Sequence, residues 1–183
     1  FGLGFTGLTS NGGTDYLDQF DSENLVPGGT AGLFTVVDVP EGNMVGGTNT
    51  LVNGFQMGLN VGTAQGPFTI RVRMPGPYFN GSDPVAGQQQ GVYIGTGDMD
   101  NFVLVALDAQ GGDGGFQVVR EVGGTATDTD HVVPAALNAV NNDIFFSVNP
   151  AAGTIQPLYA LDGGALKILG PTISASGDLL KVI

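Results

Sequence analysis

The chain has 183 residues, 17 acidic against five basic, for a net charge of −12, with no cysteine and no tryptophan. Its bases, Arg71, Arg73, Arg120, Lys167 and Lys181, are too few and too scattered to track a nucleic-acid backbone or to hold an anionic membrane surface. The lack of cysteine removes disulfides, thiolate catalysis and thiolate-bound metals together.

The length suits one well-buried core and is short for two, so residues 1–183 read as a single domain. Thirty-two glycines and ten prolines cut the sequence into short segments, and no window of a dozen residues keeps a helical apolar period unbroken. The apolar fraction of 42% supports a folded domain rather than a disordered one. No run of 18 apolar residues occurs, and no basic-then-apolar leader opens the chain, so the start FGLGFTGL reads as a processed end or a domain cut.

In chain order, residues 1–8 alternate Phe1, Leu3 and Phe5 with glycine, as a first edge strand or an ordered tail. Residues 14–25 (TDYLDQFDSENL) set four acids around three apolar side chains, as a helical turn, a loop entering a strand, or part of a calcium site. Residues 31–39 (AGLFTVVDV) read as a strand, followed by a glycine-rich loop. Residues 53–61 (NGFQMGLNV) and 68–74 (FTIRVRM) alternate cleanly, the second with Phe68, Ile70, Val72 and Met74 inward and Thr69, Arg71 and Arg73 outward. Two arginines on one outward face of so acidic a chain predict pairing with carboxylates, in a solvated setting that contributes little stability.

Residues 75–87 (PGPYFNGSDPVAG) form the longest irregular segment. Tyr78 and Phe79 stand beside Asn80, Ser82 and Asp83, and Asn80-Gly81-Ser82 is a glycosylation sequon. An aromatic ring covers the C–H face of a pyranose while amides and carboxylates take its hydroxyls, so Tyr78, Phe79, Asn80, Asp83 and Gln88 are the candidate carbohydrate-binding residues. The competing reading is an aromatic plug over one end of the core.

The organising stretch is 88–121, QQQGVYIGTGDMDNFVLVALDAQGGDGGFQVVRE. Val92–Ile94, the uniformly apolar hexapeptide FVLVAL at 102–107 and residues 116–119 are separated by glycine–aspartate turns. That pattern predicts an antiparallel meander whose middle strand is covered on both faces. Asp98, Asp100 and Asn101 place three oxygen-bearing side chains at the turn into that strand, a candidate for a structural calcium ion, against the alternative that they only cap the turn. Asp128 with Asp130, and Asp108 with Asp113, are looser candidates of the same kind.

Residues 123–130 read as a polar loop, followed by Val132-Val133 and a linker. Residues 143–148 (DIFFSV) and 155–161 read as strands, with turns at 149–154 and at Asp162-Gly163-Gly164. Residues 165–169 and 179–183 close the chain as two further strands. About a dozen short strands at this turn spacing predict an all-β fold, a two-sheet antiparallel jelly-roll β-sandwich.

The stretch at 88–121 and the string DIFFSVNPAAGTIQPLYALDGGALKILGPTISASGDLL at 143–180 together resemble the concanavalin A-like superfamily of laminin-G and legume-lectin type. They are similar to lectin-like modules of large secreted bacterial and archaeal proteins. The resemblance implies an extracellular or cell-surface module that binds a glycan or another surface component, joined to other domains or to copies of itself. It also admits a structural spacer of a surface fibre without a soluble ligand, since this sandwich hosts several functions.

Enzymatic chemistry finds little support in the residues. Glycoside hydrolases on this sandwich need paired carboxylates on one strand, whereas Glu23, Glu41 and Glu121, the three glutamates, are far apart in sequence. His131 is the sole histidine and has no G-x-S-x-G nucleophile motif beside it. The sequence therefore reads as non-catalytic.

Overall fold

A computed structural model describes residues 7–10, 43–47, 53–56, 66–77, 89–96, 100–109 and 113–175. The strands expected at 31–39 and 179–183 and the acidic segment 14–25 lie outside the described residues. Eleven strands and one helical turn are present among those described: β1 (Gly7–Ser10), β2 (Asn53–Gln56), β3 (Phe68–Pro75), β4 (Gln89–Gly95), β5 (Phe102–Asp108), β6 (Gly115–Val122), β7 (Thr125–Val132), α1 (Ala135–Asn138), β8 (Asn141–Asn149), β9 (Thr154–Leu161), β10 (Lys167–Ile168) and β11 (Ile173–Ser174). Two antiparallel sheets pack into a β-sandwich. One is the meander β4-β5-β6-β7, and the other runs β10-β9-β8-β3 with β11 also on β9. A separate pair, β1-β2, is antiparallel as well.

The core follows from the alternation of side chains along each strand. Ile70 and Met74 of β3, Ile144, Phe146 and Val148 of β8, and Ile155 and Tyr159 of β9 point to one side of their sheet. They meet Val103, Val105 and Leu107 of β5 with Phe116 and Val118 of β6. The Phe116 ring crosses the gap between the sheets to lie 5.0 Å from the Tyr159 ring, centroid to centroid.

Every residue of β5 is buried, as the unbroken hydrophobicity of FVLVAL demands. Its even-numbered side chains Phe102, Leu104 and Ala106 face away from the shared core and join Val119, Tyr93, Ala126, Met44 and Val45 in a second apolar cluster. β4 can lie so close to β5 because it carries glycine at the contacts. A Cβ on Gly91 would come within 2.5 Å of the Val105 carbonyl oxygen, and one on Gly95 within 2.3 Å of that of Asn101.

Three local expectations are corrected. Residues 123–130 are not a loop: Gly123 and Gly124, both at positive φ, make a two-residue hairpin, and β7 pairs with β6 along its whole length. β7 reads as polar because it pairs only with β6 among the described strands and is mostly exposed. The linker before β8 contains the single turn α1, held by Asn142 Nδ2 donating 3.0 Å to the Ala136 carbonyl. The strand expected at 165–169 shrinks to β10, Lys167–Ile168, and the short β11 was not anticipated.

The arginines of β3 do pair with a carboxylate, as their alternation predicts, but with a buried one. Arg71 and Arg73 both fork onto one carboxylate, Asp143 of β8, through Nε and Nη2 at 2.9–3.2 Å. Their side chains are 49% and 48% exposed, but that of Asp143 is 1% exposed, roofed by the two guanidinium groups on the outer surface of the sheet. A carboxylate receiving four N–H donors is a stronger arrangement than the solvated pairing with carboxylates expected from the alternation alone. Hydrogen bonds from Arg73 and then Arg71 hold the Asp143 carboxyl down at about 2, below its ordinary value of 3.8.

Candidate functional site

The outward face of the meander sheet carries the polar chemistry. Register places Gln89 beside Asp108, and Gln117 between Ala106 and Asp130, all on the face opposite the shared core. Gln89 Nε2 donates to Asp108 Oδ2 and, at 2.8 Å, to Gln117 Oε1. Gln117 Nε2 then donates 3.2 Å to Asp130 Oδ1. The result is an amide–carboxylate relay across four strands, running from buried Asp108 to exposed Asp130. Gly91 and Ala106 share the row of Gln117, Gly91 exposed and Ala106 covered, and half-buried Tyr93 stands one row further along.

Sequence reasoning missed this relay. Gln89, Asp108, Gln117 and Asp130 are scattered over forty-two positions, and only the strand register brings them into line. A signal was present: polar residues at alternate positions of strands whose other face is apolar. The carbohydrate candidates Tyr78, Phe79, Asn80, Asp83 and Gln88 lie outside the described residues, directly before β4 in the chain.

At the other end of the same face three loops converge. The Asn101 side-chain oxygen accepts from the Gly123 N–H at 3.0 Å, and the Asp100 carbonyl from the Gly124 N–H at 3.1 Å, so the β4–β5 turn is tied to the β6–β7 hairpin. The segment 43–47 is a self-capped turn, with Asn43 Oδ1 accepting from the Val45 N–H at 3.0 Å. Its Gly46 N–H donates 2.7 Å to Glu121 Oε2. Asp98 lies outside the described residues, so of the three calcium candidates only Asp100, exposed, and Asn101, half-buried, are placed.

Glu121 is the unexpected member of this junction. It lies beside Phe102 and Ala126 on the outward face, is 0% exposed, and its Oε1 has no hydrogen-bond partner among the described residues. Burying a polar oxygen without a donor costs on the order of 1–3 kcal/mol, so the position calls for a compensating group. Among the described residues no three His, Cys, Asp or Glu side chains gather around one point. Any cation held here therefore draws on carbonyl oxygens and water besides carboxylates, as calcium commonly does.

His131, the sole histidine, is half-buried at the end of β7. Its Nε2 is buried without a partner among the described residues, and a Cβ on Gly170 would sit 2.9 Å from it. No described helix is long and apolar enough to cross a membrane. Comparison of the chain with family models, with curated proteins and with solved structures finds no match.

Proposed function

We propose that the chain is a non-catalytic, extracellular, lectin-like module that binds neutral carbohydrate on the outward face of the β4–β7 sheet. The observation that carries this reading is the Gln89–Asp108–Gln117–Asp130 relay, which runs out to half-buried Gln117 and exposed Asp130, with exposed Gly91 in the same row. Paired amides and carboxylates match the alternating donors and acceptors of vicinal hydroxyls. The acidic surface favours a neutral ligand over an anionic one. Tyr78, Phe79, Asn80, Asp83 and Gln88, the aromatic and polar residues that the sequence offers for a sugar, directly precede the relay in the chain.

The alternative, a spacer that joins a surface fibre by strand addition, is opposed at β7. There Asp128 and Asp130 are exposed on a strand that pairs only with β6 among the described strands, and charge on an edge discourages pairing with another chain.

The test is a neutral-glycan array probed with and without calcium. Binding to at least one neutral glycan is expected, and Gln117→Ala should weaken it roughly tenfold or more by breaking the relay at its centre, the equivalent of one or two hydrogen bonds. An unchanged melting curve would show that the variant still folds. Silence under both calcium conditions, or full binding by Gln117→Ala, defeats the reading.

A further inference from the structure

We propose that Glu121 is the buried anchor of a hard divalent-cation site, calcium being the fitting ion, which locks the segment 43–47 onto the β4–β5 and β6–β7 turns. Three observations converge on it. Glu121 is fully buried and keeps one carboxylate oxygen without a hydrogen-bond donor among the described residues. Its other oxygen is fixed by the Gly46 N–H at 2.7 Å, so the carboxylate cannot turn the orphaned atom to solvent without releasing that loop. Asp100 is at the same junction: its Oδ1 lies 3.6 Å and the Gly47 Cα 3.5 Å from where a Cβ on Gly124 would stand.

The chemistry of the donors selects the ion. The carboxylates of Glu121 and Asp100, with no histidine or cysteine beside them among the described residues of the junction, suit a hard cation that tolerates irregular coordination and completes its shell with water. A nitrogen- or sulfur-seeking transition metal has nothing to gain here. The ordinary cations of the chain are engaged elsewhere among the described residues: Arg71 and Arg73 with Asp143, Arg120 with the Ser174 carbonyl, and Lys167 over the Tyr159 ring. Sequence spacing pointed first at the Asp98–Asn101 turn, with looser candidates at residues 14–25, Asp128 with Asp130, and Asp108 with Asp113; the structure adds Glu121, twenty residues beyond Asn101, as the member that solvent does not reach.

The inference stands apart from the carbohydrate reading, because a cation can pin these loops whether or not a glycan binds at the other end of the face. It is tested on the full chain after stripping with chelator. Calcium chloride added to roughly a hundredfold excess over its dissociation constant should raise the melting temperature by about 5–10 °C. Calorimetric titration should show one binding event, and exchange of the Gly46 amide proton should slow in the same titration. Glu121→Gln keeps an acceptor for Gly46 and removes the charge. It should melt no lower than the stripped wild type and lose the calcium-dependent rise, while Asp100→Asn should weaken calcium binding about tenfold. Should Glu121→Gln fail to fold, the wild-type titration and Asp100→Asn still decide the matter. The absence of heat and of a melting shift in the wild type overturns the site, as does a full shift retained in either variant. A clean calcium response with a silent glycan array would leave this site standing and remove the carbohydrate reading alone.

Discussion

Replacing Phe116 by alanine is expected to cost about 3–5 kcal/mol of stability, the range for removing a fully buried phenylalanine, and to lower the melting temperature by roughly 10 °C or more in a chain of this size. The ring is 0% exposed and is one of the groups that touch across both sheets, through Tyr159 at 5.0 Å. Its loss removes transfer energy and leaves a void between β6 and β9 that the paired backbones on either side cannot close. A chemical-denaturation midpoint checks the figure. A loss below about 1 kcal/mol, the size seen at surface positions, would mean that the sheets do not share this contact.

The second large effect is at Asp143, and its sign is set by the direction of the shift. The folded carboxyl titrates at about 2 against an ordinary 3.8, because Arg73 and Arg71 hydrogen-bond to it. A depressed folded value means that the stabilisation is complete above the unfolded value near 4 and is lost as pH falls toward 2. The full shift would correspond to roughly 2–3 kcal/mol. The guanidinium groups are half-exposed and screened by water, which brings the expected contribution down to about 1–2 kcal/mol. Wild type and Asp143→Asn should therefore differ by that amount at neutral pH and converge as the solution is acidified to pH 2. Other carboxylates affect both proteins alike and cancel in the difference. Parallel curves over the whole range would show that the double fork adds nothing.

These two residues also mark where the sequence was legible and where it was not. FVLVAL could be read as a doubly covered strand because apolar character at six successive positions has few other uses, and all of β5 is buried. The inward and outward faces of β3 were legible for the same reason, since Arg71 and Arg73 alternate with apolar neighbours. What the pattern could not supply was the partner. Asp143 is opposite Arg73 only because β3 and β8 pair antiparallel in that register, seventy residues apart.

β7 was misread for a related reason. Thr125, Ala126, Thr127 and Asp128 look like a loop when only polarity is weighed. The informative signals were the β-branched threonines at alternate positions and the two glycines before them, which together specify a hairpin and an exposed strand. The polar relay and the buried Glu121 were hidden more deeply. Both depend on which side chains a register aligns across the meander, and no spacing along the chain encodes that.

The account rests on β5 lying between two hydrogen-bonded neighbours with both of its faces covered, and native-state amide hydrogen exchange tests that most directly. The amides of Phe102–Asp108 should exchange only through global unfolding, with protection equal to the full stability of the domain, while those of β7 exchange faster through local opening. Exchange across β5 as fast as across β7 would contradict it, and with it the sheet on which both proposed sites are built.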